Sequence, residues 1–191
     1  MTAAENMETG REGARSVRAW DPLVRLLHWT LVTAILLNAV VLEEESRIHE
    51  YVGWIALGVV VTRMAWGLIG SKPARLRSFL PNPRAALRHG AELLRGEKTV
   101  HLSHNPIGAL MVWNLWACIG GLAATGYMMG TIQFFGMEWV EELHEAIFGW
   151  LIASIVLHLG GVLLDALLSG DTPGAPMTRG RRRIPDGARV E

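Results

Sequence analysis

The sequence holds seven histidines in 191 residues, and four of them, His28, His49, His144 and His158, fall in or beside long apolar runs. Two share the stretch "LHEAIFGWLIASIVLHLGG", Leu143–Gly161. At about 1.5 Å per residue, His144 and His158 stand roughly 21 Å apart along a helix axis. Fourteen steps of about 100° end only about 40° short of whole turns, so both rings leave nearly the same face. One helix can therefore serve two sites at different depths. An imidazole in an apolar segment is costly unless it finds a partner, and a metal bonded to the neutral ring is one. His49 and His144 are each followed by Glu, but no "HExxH" occurs, which disfavours a zinc protease. The single cysteine, Cys118, excludes an intrachain disulfide and a C-x-x-C-H attachment site, and reads as a packing thiol.

The elements that position these rings follow from the distribution of apolar residues, which make up 50% of the chain. They come in four blocks, Leu23–Leu42, Tyr51–Gly70, Pro106–Gly130 and Leu143–Leu168, each near the ~20 residues needed to cross a bilayer core. A soluble helix would need a polar face, and these blocks lack one. The expected fold is all-α, an integral membrane four-helix bundle. Its flanks are an N-terminal tail over 1–19 and a basic C-terminal tail over 171–191, with the bundle over 20–170. No apolar h-region precedes the first block, so no cleaved signal peptide is expected.

The net charge of zero hides a segregation. Arg11, Arg15 and Arg18 lie in the N-terminal tail. Lys72, Arg75, Arg77, Arg84, Arg88, Arg95 and Lys98 fill the loop between blocks two and three, and Arg179, Arg181, Arg182, Arg183 and Arg189 lie near the C-terminus. The other two connections hold only Arg47 among Glu43, Glu44, Glu45, Glu138, Glu141 and Glu142. Cations mark the cytoplasmic side, so both termini are expected inside and the acidic connections outside, as an even number of crossings requires. In a Gram-negative cell the outer face is periplasmic and the membrane is the inner one. Within the long inner loop, "NPRAALRHGAELLRG" places Leu87, Ala91 and Leu94 on one face. This predicts a short amphipathic helix lying on the membrane, with His89 solvated. "SKPARLRSFLPNP" and "DTPGAPMTRGRRR" read as loop and disordered tail. Trp20, Trp29 and Trp139 suit interfacial belts, and Arg25 an interfacial anchor.

Applied to the histidines, this topology makes two pairs. His49 and His144 share the outer level, and His28 and His158 the inner. Two imidazoles are too few for zinc. Haem brings four in-plane nitrogens and asks the protein only for axial ligands, here His–His at each level. "IHEYVGW" and "LHEAIFGW" echo one another, and Gly53 and Gly149 leave either room for a flat ligand or a close helix contact. Arg63, in "VTRMAWG", lies about 10 Å from the inner end of its helix. It can neutralise a haem propionate or snorkel to the headgroups. Glu50 and Glu145, beside the candidate ligands, can take protons from a quinol or simply favour a helix start.

The order of "WDPLVRLLHW", "HEYVGW", "RMAWG", "HNPIGALM" and "ELHEAIFGW…LHLGGVLLDALL" resembles the bacterial cytochrome b561 family, four-helix di-haem cytochromes b related to the membrane subunits of nickel–iron hydrogenases. The resemblance covers roughly Trp20 to Leu168. It implies two haem b groups with His28, His49, His144 and His158 as axial ligands, and electron transfer between membrane quinone and an outer redox partner such as a cytochrome c or a hydrogenase. His104 and Asn105 match a family motif. They bound a propionate or quinone site, or cap the third helix with Pro106 in its first turn. His101 reads as loop. Some relatives oxidise superoxide with quinone as acceptor, which makes a quinone-linked superoxide oxidase the alternative. The glutamates of the outer connections repel that anion and suit a basic protein. A haem-free metal-ion transporter needs ligands between the two levels, where the fourth helix offers only Ser154. The expected surroundings are membrane lipid, with a homodimer possible and no nucleic-acid partner.

Overall fold

The computed structural model describes residues 15–18, 20–44, 46–71, 74–94, 99–100, 105–170, 172–184 and 189–190. In chain order the elements are β1 (Arg15–Arg18), α1 (Pro22–Leu36) running into a π-helical turn (Leu37–Val41), and α2 (Arg47–Ile69). A 3-10 turn (Leu76–Phe79), α3 (Pro83–Leu94), β2 (Thr99–Val100) and α4 (Pro106–Met129) follow, then α5 (Glu138–Ser169), α6 (Ala175–Thr178), β3 (Arg181–Ile184) and β4 (Arg189–Val190). The fold is an all-α membrane bundle. Four helices, over 22–41, 47–69, 106–129 and 138–167, are long and apolar enough to cross a membrane.

Three of the membrane helices begin where the sequence supplies a cap, whereas α5 follows Met137 with no side-chain cap. Asp21 Oδ1 accepts from Val24 N at 3.0 Å with Pro22 in the first turn, and Ser46 Oγ accepts from His49 N at 3.2 Å. Asn105 Oδ1 accepts from Gly108 N at 2.7 Å ahead of Pro106. The α2 and α5 helices start several residues before their apolar blocks, because first turns carrying Glu50, and Glu138 with Glu141, favour the positive end of the helix dipole. The α5 helix ends at Gly170, whose φ of 67° is left-handed.

The bundle is small inside and large outside. Ala34, Ala56, Ala109 and Val60 are buried, whereas Leu68, Val156 and Leu167 are more than 60% exposed. Lipid gives no hydrophobic reward for burying a leucine, so small residues that let backbones approach do the packing. A Cβ on Gly121 would stand 3.1 Å from Ile147 Cδ1, which shows how closely α4 and α5 lie. The α1 helix packs on α2, α2 on α4, and α4 along α5. Among the described residues, α5 makes no more than marginal contact with α1 or α2. A gap therefore separates α5 from the pair α1–α2.

Three expectations from the sequence are corrected. Trp20 is not a belt residue: it is buried with Val24 and Ala74, against Trp66 and Met177. His89 is not solvated but 4% exposed, on the side of α3 that also buries Ala86. This helix packs on α4 and turns Leu87 outward, as an amphipathic helix at a membrane surface would. Residues 172–184 are not a disordered tail. The α6 turn docks on α1, where Arg25 donates to Met177 O and Thr178 O and Trp29 Nε1 donates to Met177 O. Beyond it, β3 pairs antiparallel with β1, Arg15 opposite Ile184, which joins both tails at one end of the bundle.

Candidate functional site

The four histidines are all half-buried, and they couple in two pairs between α5 and the helices across the gap. His28 on α1 and His158 on α5 lie within electrostatic reach of one another, as do His49 on α2 and His144 on α5. These are the same two couples that the expected topology gives. His104 and His101 lie outside the described residues, and Asn105 serves as the N-cap of α4.

At the level of His49 and His144, the latter sits against α4. Its Nδ1 is 2.8 Å from Thr125 Oγ1, and a Cβ on Gly126 would stand 3.7 Å from its Cε1. Thr125 Oγ1 in turn donates to Gly121 O at 2.9 Å or Leu122 O at 3.2 Å. His49 is approached by Asn38, on the π-helical turn, whose Nδ2 donates to His49 O at 3.2 Å. Such turns inside a helix re-aim side chains and recur at functional sites. Asn38 Oδ1 and His49 Nδ1 are both buried without a hydrogen-bond partner. A Cβ on Gly53 would make ordinary contact with Asn38 Nδ2 at 3.8 Å, and one on Gly149 would have nothing within 4 Å. The close helix contact allowed for Gly149 is therefore absent.

Toward the level of His28 and His158, Arg63 is buried rather than reaching for the surface. It is 8% exposed, with its guanidinium carbon 5.4 Å from the Phe79 ring centre and 5.9 Å from that of Trp116. These aromatic faces attract the cation, yet Arg63 Nη1 is buried without a hydrogen-bond partner. Asp21 lies within electrostatic reach of it. Partial burial of Asp21 raises the pKa of its carboxyl, but hydrogen bonds from Val24 N, Ser71 Oγ (2.7 Å) and Trp66 Nε1 (3.1 Å) outweigh that and bring it below the ordinary range.

Between the two levels, Asn114 on α4 donates to Ser154 Oγ at 2.8 Å and accepts from Trp150 Nε1 at 2.9 Å. No group of three or more His, Cys, Asp or Glu side chains able to hold a bare metal ion occurs among the described residues. The donor set instead fits haem: paired imidazoles across a gap, and an arginine with a buried, unpaired Nη1 toward the level of His28 and His158 for a carboxylate. Asn38 and Thr125 were missed from the sequence. The available signals were an amide near the C-terminal end of the first block and a hydroxyl four residues after Gly121.

The end of the bundle beside His49 and His144 is acidic. Glu43, Glu44, Glu138, Glu141, Glu142 and Glu145 are all exposed there, with Arg47 the one cation among the described residues of the two connections. The loop between α4 and α5 also exposes Ile132 fully and Phe135 to 81%. Two comparisons with known proteins bear on this arrangement. The family model described as prokaryotic cytochrome b561 matches residues 19–180. The comparison with curated proteins returns no match.

Proposed function

The chain belongs to the prokaryotic cytochrome b561 family, whose members transfer electrons across membranes with b-type haem, and from that premise we propose how this one does so. His28 with His158, and His49 with His144, bind two haem b groups, one near each face of the inner membrane. Arg63 pairs with an inner propionate. Both termini are cytoplasmic, and the acidic end is periplasmic. The observation that carries this reading is the facing of the two histidine pairs across the gap beside α5.

Haem iron supplies the one-electron couple when bound. The chain's own part is to hold two imidazole pairs at separate depths and to keep lipid and water from the path between them. It also presents a charged docking face. Membrane quinone is the proposed electron source or sink, with Glu50 and Glu145 able to exchange its protons at the outer end. Exposed glutamates around the outer pair favour a basic cytochrome c over superoxide, which they repel. A hydrogenase is the other partner class that the family's relationship suggests.

The test is reconstitution into vesicles whose bilayer contains a quinol, with ferric basic cytochrome c added outside. We expect reduction well above protein-free vesicles, falling steeply as salt rises because the docking is electrostatic. Reduction no faster than in protein-free vesicles refutes the electron path, and a rate indifferent to salt refutes the docking.

A further inference from the structure

Thr125 sits where it can decide which nitrogen of His144 carries the proton. Its hydroxyl has one hydrogen. Donated to Gly121 O at 2.9 Å, one turn back on α4, that hydrogen leaves an oxygen lone pair facing His144 Nδ1 at 2.8 Å. In that arrangement Nδ1 carries the ring proton and Nε2 keeps a free lone pair for a metal. A Cβ on Gly126, one residue on, would stand 3.7 Å from His144 Cε1, which places the ring edge directly against α4. Among the described residues neither His28 nor His158 has a hydrogen bond at its ring, so the device belongs to the outer level alone.

We propose that Thr125 is a positioning residue for the outer haem: it fixes the His144 tautomer and makes that ring a stronger donor to iron. The proposal rests on the His49–His144 reading given above. A hydrogen bond from the far nitrogen raises the basicity of a ligating imidazole. A more basic ligand stabilises ferric over ferrous iron and lowers the potential. Thr125→Val keeps the shape and removes the acceptor, whereas Thr125→Ser keeps the hydroxyl and loses only a methyl group.

The experiment is a potentiometric titration of the purified, haem-loaded full chain, following the α-band of each variant beside the parent. A haem count is taken first, and His28→Ala serves to identify the inner couple by its loss. Thr125→Val is expected to move the outer couple about tenfold toward ferrous, about 59 mV upward for one electron, and to leave the inner couple in place. Thr125→Ser is expected to stay near the parent. Loss of the outer haem from Thr125→Val with retention in Thr125→Ser is the same result in stronger form. The proposal is overturned if Thr125→Val shifts neither couple, if it shifts the inner one, or if both variants shift or lose haem alike. A parent chain that binds no haem overturns the ligand reading itself, an outcome that the haem count separates from the others.

Discussion

Replacing Arg63 with leucine separates a structural arginine from one that waits for a carboxylate. In the protein as described, two opposing contributions act on this side chain. Leaving Nη1 buried and unpaired costs about 1–3 kcal/mol. The Phe79 and Trp116 faces, at 5.4 Å and 5.9 Å, return about 0.5–2 kcal/mol each. These nearly cancel, so Arg63→Leu is expected to change the stability of the haem-free chain by no more than about 1 kcal/mol, since a buried charge often exchanges for an apolar group at little cost. With a propionate as partner the balance changes, because a hydrogen bond to a charged group contributes about 1.5–3 kcal/mol. That corresponds to roughly ten- to hundredfold weaker retention of haem in the variant. The assay is the rate at which one haem passes from purified protein in detergent to an excess of a soluble haem acceptor protein, with thermal unfolding of the haem-free chain measured in parallel. Arg63→Lys, which keeps the charge but not the fork, should fall between. An unchanged rate of haem loss in Arg63→Leu, together with a large drop in the stability of the haem-free chain, would refute the reasoning: Arg63 would then be a packing residue.

Ser154 is 1% exposed and joins α5 to α4 through Asn114, so Ser154→Ala should cost about 0.6 kcal/mol, the average for such bonds between membrane helices. Unfolding in detergent would check it, and a cost above about 3 kcal/mol would mean that the hydroxyl does more than make one ordinary hydrogen bond. The depressed Asp21 carboxyl stabilises the fold at pH values above its unfolded pKa, and that contribution disappears as pH falls through its lowered folded value. Thermal unfolding followed downward through the acid range should therefore show a step in the parent that Asp21→Asn lacks. Asp21→Ala should in addition lose about 1 kcal/mol of helix capping at all pH values. Removing Arg25's contacts to Met177 O and Thr178 O with Arg25→Ala should expose the 172–184 segment to limited proteolysis while the haem content stays unchanged.

The parts of this fold that the sequence discloses are those governed by local rules. Hydrophobic length sets the four spans, and helix geometry sets the depth of each histidine, so the pairing of His28 with His158 and of His49 with His144 follows before any coordinate is known. What it does not disclose depends on contacts between distant segments. Thr125 becomes informative only when α5 brings His144 against α4, nineteen positions away in sequence. Asn38 matters because a π-helical turn, which no propensity signals, aims it at the start of α2. Trp20 reads as an interfacial tryptophan until Ala74 and Met177 close over it from two other parts of the chain. His89 shares an amphipathic helix with Leu87, but polarity alone does not say that its side of the helix is the one pressed on α4.

The central claim, two haem sites at separate depths held by two histidine pairs, is tested most directly by counting haem in the purified chain and in its single-histidine variants. A pyridine haemochrome assay with a reduced-minus-oxidised spectrum should give two b-type haems per parent chain. It should give one in His49→Ala and in His144→Ala, with the same haem lost from both, and the other haem lost from His28→Ala and His158→Ala. A parent without haem, or loss of both haems from every single replacement, would contradict it.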